Sequence, residues 1–173
     1  MRLFLLFLAM TLTSGIAVAD DSEVTEREYK IKAGYIYNFI RYSRLKELKE
    51  NIQVCSPSAP FISIANSVFG EREVNGRYIT LHQVKDDIKG CHVVFISEDD
   101  VKWWEARKTT PLPENVLIVG ESDDFAIHLG HINFVIVGSK VRFEINPQEL
   151  RSSGLSISST VLRLGKVVSG GPQ

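Results

Sequence analysis

The stretch Gly120-Glu121-Ser122-Asp123-Asp124 follows an apolar run, precedes a helical pattern and comes within one residue of the G-x-S-x-G nucleophile elbow. Such an elbow exposes a serine on a sharp strand-to-helix turn, where a later acid and histidine activate it for acyl transfer. Here the fifth position is Asp124, whose Cβ obstructs the close backbone approach a glycine permits. His128 and His131 follow too soon to return from another strand end. The commoner role for Ser122 or Asp123 is to cap the following turn, accepting from its free N–H groups.

The four histidines, His82, His92, His128 and His131, form no ligand set. His128-Leu-Gly-His131 would pair two imidazoles only if a helix ran through Gly130, and a strand pattern begins there instead. They read as exposed or singly hydrogen-bonded. No phosphate loop, paired carboxylates or zinc-type cysteine spacing is present. Trp103-Trp104 offers a different chemistry: a helix that buries one indole turns the other toward a neighbour, a partner or a ligand.

Cys55 and Cys91 form an even pair. In an oxidising compartment they favour a disulfide, which on the chain-entropy account would contribute about 3 to 4 kcal/mol. If their strands ran parallel and in register the sulfurs would lie too far apart, so two buried free thiols remain the alternative.

The elements that must position these residues follow from periodicity. Tyr29, Ala33, Ile36, Phe39 and Ile40 recur at helical spacing within residues 25–42, widened by Tyr35, Tyr37 and Tyr42. A charged segment, LKELKEN, follows and reads as a solvated connection. Apolar runs at 52–55, 78–81, 91–96 and 116–119 alternate with helical patterns at 60–69 and 101–108. This alternation predicts an α/β domain with a largely parallel sheet flanked by helices and carrying a C-terminal antiparallel hairpin.

That hairpin spans 131–146. Gly138-Ser139 suits a two-residue II′ turn, which sets Ile136 opposite Val141, Phe134 opposite Phe143 and Ile132 opposite Ile145 on an apolar face. The other face pairs Asn133 with Glu144, Val135 with Arg142 and Val137 with Lys140, and meets solvent or a partner. Asn146-Pro147-Gln148-Glu149 starts a short helix, which Gly154 ends. Ile157, Val161, Leu164 and Val168 predict a last amphipathic helix.

At the other end, Arg2, the apolar run 3–10 and the small-residue tail Ala17-Val18-Ala19 have the layout of a secretory signal peptide cleaved after Ala19, leaving a single domain over 20–173. Lys plus Arg number 20 against 21 Asp plus Glu, which leaves no footprint for nucleic acid or an anionic membrane surface. The 44% hydrophobic content excludes a disordered chain.

The ordered series Lys32-Ala33, Tyr37-Asn38-Phe39, Val74-Asn75-Gly76-Arg77, Cys91-His92-Val93, Val119-Gly120-Glu121-Ser122, Ile132-Asn133-Phe134, Val141-Arg142-Phe143-Glu144-Ile145-Asn146 and Gly154-Leu155-Ser156-Ile157-Ser158-Ser159 resembles the YfiR family of periplasmic proteins. The resemblance implies an α/β domain, usually a homodimer, without enzymatic activity or cofactor. It implies binding to the periplasmic part of an inner-membrane diguanylate cyclase, whose repression lowers cyclic di-GMP and restrains biofilm growth. It also implies that Ser122 is a cap. Tyr35, Trp103, Trp104, Arg142 and Glu144 are the candidate contacts for that partner or a ligand. The reading from a different class is a periplasmic small-molecule-binding protein whose amino acid or neutral ligand sits near Gly120 to Asp123.

Overall fold

The computed structural model describes residues 21–45 and 51–170. The predicted signal peptide and most of the LKELKEN segment lie outside the described residues. In chain order the elements are α1 (Asp21–Tyr42), β1 (Ser43–Arg44), β2 (Ile52–Ser56), α2 (Ala59–Phe69), β3 (Glu73–Val74), β4 (Arg77–Gln83) and β5 (Val93–Ile96). A 3-10 turn, Glu98–Asp100, then leads into α3 (Val101–Glu105), β6 (Leu117–Gly120), α4 (Phe125–His128), β7 (Ile132–Val137) and β8 (Lys140–Ile145). The chain finishes with α5 (Pro147–Ser152), β9 (Ser156–Ile157), α6 (Ser159–Leu162) and β10 (Lys166–Val167).

Eight strands form one sheet in the order β10-β8-β7-β6-β5-β2-β4-β3, and β1 pairs with β9 apart from it. The run from β7 through β6, β5 and β2 to β4 is parallel, whereas β7–β8 and β3–β4 are antiparallel. Parallel strands covered on both sides need apolar residues at every position, and both β5 and β6 are buried throughout. Their side chains alternate between two cores. Val93, Phe95, Leu117 and Val119 join the cluster that includes Ile36 and Phe39 of α1 and Phe61 of α2, while Val94, Ile96 and Ile118 meet Trp104 and Phe125 on the other face.

All five residues of the predicted α1 stripe are buried. The hairpin register is the one predicted, from Ile132 opposite Ile145 to Val137 opposite Lys140. Its turn differs: Gly138 has φ 55° and Ser139 φ 58°. Positive φ at both central residues is the signature of a I′ turn, where a II′ turn needs it only at the first. The predicted start of α5 also holds, with Asn146 Oδ1 accepting from the Glu149 N–H at 3.1 Å and Pro147 in the first turn.

The last amphipathic helix does not form as predicted. Ser158 caps the single turn of α6, and β10 then adds to β8 as a parallel edge strand. Gly165, just before β10, lies under the Phe143 ring, where an added Cβ would come within 2.3 Å of a ring carbon. Leu164 is consequently 70% exposed, not part of a buried stripe. Strand pairing outweighed the helical periodicity because the outer edge of β8 offered backbone partners.

Candidate functional site

A cavity of about 450 Å³ opens at the carboxyl ends of β5 and β6. Ile96 pairs with Gly120, so the chain leaves both strands at one level and brings Glu98 and Asp99 beside Glu121, Ser122 and Asp123. The amino-terminal half of α1 supplies Thr25, Glu28, Tyr29 and Lys32. The remaining wall is β7, which continues past β6: the two pair only at Val119–Ile132 and Gly120–Asn133, whereas β8 follows β7 to Val137. From Phe134 to Ile136, β7 therefore faces the cavity with no strand on that side. Open α/β sheets place ligands at such strand ends near the point where strand order reverses. That reversal falls between β2 and β5, one strand pair away.

Lys32 anchors the site. Its side chain is 7% exposed and its ammonium pairs with Glu121, itself 10% exposed, and with Glu28 one turn back at 3.2 Å. The Tyr29 ring centroid lies 5.4 Å away, within cation–π range. Burial pulls the Lys32 pKa down, but the Glu121 and Glu28 carboxylates outweigh it and leave the group raised. Burial raises the Glu121 pKa, against the opposing pull of Lys32 and of the Glu98 N–H that donates to its Oε1 at 3.3 Å. This ion pair is thus costly to desolvate, and removing one partner alone would strand a buried charge.

Two of the lining residues carry a buried side-chain oxygen without a hydrogen-bond partner, Ser122 Oγ and Asn133 Oδ1. This corrects two expectations. Ser122 is not a side-chain cap: its backbone carbonyl accepts from the Phe125 N–H, and the N-cap of α4 is Asp124, held at φ 55° without a side-chain bond. The Gly120 position explains the local sequence instead, because an added Cβ there would lie 2.5 Å from the Phe125 ring. Asn133 belongs to the hairpin face expected to meet solvent or a partner, yet it is 1% exposed because β6 and the cavity rim cover the base of that face.

A nucleophilic Ser122 would need a hydrogen-bonded base. Its Oγ has none, and the nearest histidine in sequence order that is buried, His131, is engaged elsewhere. His131 Nδ1 accepts from the Ile118 N–H and its Nε2 meets Ser153 Oγ, each at 2.9 Å. It is fully buried and doubly bonded, not exposed or singly bonded as expected, and burial lowers its pKa from 6.5 to about 4. His92 Nδ1 accepts from the Gln53 N–H at 2.9 Å, while His82 and His128 are exposed.

The cysteines are joined: Cys55 and Cys91 form a disulfide with Cα atoms 5.9 Å apart. β2 and β5 are indeed parallel neighbours, with Cys55 opposite Val94. Cys91 precedes β5, and a bend at His92 takes it off the strand line, so the register does not separate the sulfurs.

The five predicted contact residues occupy three places. Tyr35 is half-buried among the rings of Phe39, Phe134 and Phe143, with centroids 5.6 to 6.1 Å away, and ties α1 to the hairpin. Trp104 is 1% exposed and its Nε1–H donates to the Leu129 carbonyl at 2.7 Å. That burial makes it a core residue and removes it from the contact set. Trp103 is partly exposed, but its Nε1–H is bonded to the Lys85 carbonyl and Arg107 stacks 4.7 Å from its ring. Arg142 and Glu144 share a groove of about 490 Å³ with Val135, Val137, Leu164 and Lys166, where Lys166 pairs with Glu144 at 2.8 Å.

The sequence reasoning passed over Lys32 and Glu121. The signal available was Glu28 four residues before a lysine that sits in the apolar stripe of α1, an ion pair placed where burial was already predicted.

Fold and site together define an α/β domain with a carboxylate-rich cleft at its strand ends and an apolar groove along one sheet edge. The chain belongs to the YfiR/HmsC-like family, which matches residues 29–166. A search of curated proteins gave no match. No helix among the described residues is long and apolar enough to cross a membrane.

Proposed function

We propose that this protein is a periplasmic, non-enzymatic regulator that binds the periplasmic part of an inner-membrane diguanylate cyclase and represses it, lowering cyclic di-GMP output. Family membership supports the class of target. The observation that carries the binding reading is the sheet edge at β10 and the hairpin tip. There Val137 and Leu164 are 59% and 70% exposed and line one groove beside Arg142 and Glu144. Large apolar side chains gathered in one charged-rimmed groove suit a protein partner better than water. Among the described residues the short strand β10 ends the sheet, and no strand pairs with its outer side.

Repression follows if the bound form of the cyclase is its inactive conformation, since a partner shifts a two-state equilibrium only by its differential affinity for the two states. Export by the first nineteen residues and a homodimeric assembly belong to the same reading. Deleting the gene should raise cellular cyclic di-GMP, and the wild-type gene should restore it, whereas Leu164→Asp or Arg142→Glu should not, although both variants accumulate as folded protein. Unchanged cyclic di-GMP after deletion, in cells that contain an inner-membrane diguanylate cyclase, would contradict the proposal.

A further inference from the structure

β7 carries an open backbone edge that neither the sheet nor the cyclase reading uses. β6 reaches along it only as far as Asn133, and among the described residues no strand pairs with Phe134 to Val137 on that side. The hairpin register decides which groups are left there. A two-residue loop closes on a hydrogen-bonded pair, here Val137 with Lys140, so Val137 and Val135 turn their N–H and C=O groups to β8, and Ile136 between them turns both away. Phe134, Val135 and Ile136 together line the strand-end cleft. Successive side chains of a strand point to opposite faces, so consecutive residues share one cleft only along their backbone edge. Ile136 is 52% exposed and Val137 59%, which leaves this edge accessible.

Proteins that must keep a strand edge from pairing blunt it with a charge, a proline or a bulge. The stretch from Phe134 to Val137 contains no charged residue and no proline, and its register with β8 is unbroken. It offers apolar side chains on both faces instead. Ile136 shares the face of Phe134, whose ring meets Tyr35 and Phe39 of α1, and Val137 lies on the other. The walls around the edge decide what kind of strand fits. Among the described residues that line the cleft, Glu28, Glu98, Asp99, Glu121 and Asp123 are acidic, and Lys32, the one cation, is engaged by Glu28 and Glu121. Charge complementarity therefore favours a basic occupant and repels an acidic one. A second copy of this chain, related by a two-fold axis through the edge, would set acidic wall against acidic wall.

From this edge and its walls we infer that β7 takes an extended segment of a partner protein as an added strand, in the line that β6 leaves, and that the segment carries both apolar and basic side chains. Its backbone pairs with the N–H and C=O of Ile136. Its apolar side chains cover Ile136, and its basic ones meet the carboxylates around the cleft, Asp99 and Asp123 among them. The stretch from Phe134 to Val137 accommodates a strand of about 13 Å at about 3.3 Å per residue. The ion pair of Lys32 with Glu121 fixes α1 against the turn after β6 and so keeps the slot beside β7 open.

Fluorescence anisotropy of a labelled peptide titrated with the disulfide-bonded protein tests this without any cyclase present, so failure here leaves the proposed function standing. The probe is Lys-Val-Arg-Val-Lys, blocked at both ends. One control has Glu in place of each basic residue; the other is the basic peptide with alternate amides N-methylated, which keeps the charge but cannot pair as a strand. The expected result is saturable one-site binding of the probe, with both controls at least about tenfold weaker. Ile136→Pro removes the donor on the open edge without touching a bond to β8 and should weaken binding about tenfold. Because a proline could disturb the hairpin, the double variant Asp99→Asn with Asp123→Asn, both on the exposed rim, provides the second test and should also weaken binding about tenfold. Absence of saturable binding overturns the inference. So does equal binding of the acidic or the N-methylated peptide, or binding left unchanged by a folded Ile136→Pro or by the double variant.

Discussion

His131 should make the fold acid-sensitive in a window that can be calculated. Its Nδ1 accepts the Ile118 N–H, so the ring proton sits on Nε2 and donates to Ser153 Oγ; the native site takes the neutral ring. Burial lowers the pKa to about 4, while the unfolded chain protonates near 6.5. Between those values the unfolded state binds the proton and the native state does not, so stability falls as pH falls from 6.5 and levels off near 4. At about 1.4 kcal/mol for each tenfold change in proton affinity, the loss amounts to about 3 kcal/mol. Glu121, whose pKa is raised, works in the opposite sense and loses stability as pH rises, so the His131 contribution is read as a difference. Urea unfolding of wild type and His131→Gln across pH 4 to 7.5 supplies it. The advantage of wild type over the variant should shrink by about 3 kcal/mol on acidification, and change sign if it starts smaller than that. A difference that stays constant with pH, or an imidazole NMR titration of His131 near 6.5, would refute the reasoning.

Replacing both Cys55 and Cys91 by Ala opens a loop of 36 residues and should lower stability by about 4 kcal/mol in urea unfolding, a loss matched by reducing the wild-type protein. Trp104→Ala should cost about 3 to 5 kcal/mol because it empties a buried site and frees the Leu129 carbonyl, and Trp103→Ala clearly less; equal effects would contradict the burial described. Gly120→Ala should destabilise by about 1 to 3 kcal/mol, since Phe125 occupies the space a Cβ needs, and Phe125→Leu in the same chain should recover part of that loss.

The parallel core was legible because both-face burial writes itself as continuous apolar runs, and α1 because its buried face repeats at helical spacing. The hairpin was legible to the residue, since a two-residue loop fixes every cross-strand pair. β3 could have been read from Asn75-Gly76, where φ values of 53° and 74° form another two-residue turn between β3 and β4. β10 could not: it lies within a segment whose apolar residues repeat at helical spacing, and only the free edge of β8 decides its pairing. The cleft was legible in place, near Gly120 to Asp123, but not in character. Lys32 is separated from Glu121 by 89 residues, and nothing local to Asn133 indicates that β6 stops beside it and that its side chain is buried.

Repression of this kind requires physical association with a cyclase. Mild cross-linking in the native periplasm, capture of this protein and identification of its inner-membrane partners by mass tests it most directly. A diguanylate cyclase should be recovered, competed away by excess free protein and lost with Leu164→Asp. Recovery of no such enzyme from cells that contain one, with the captured protein folded and abundant, would contradict it.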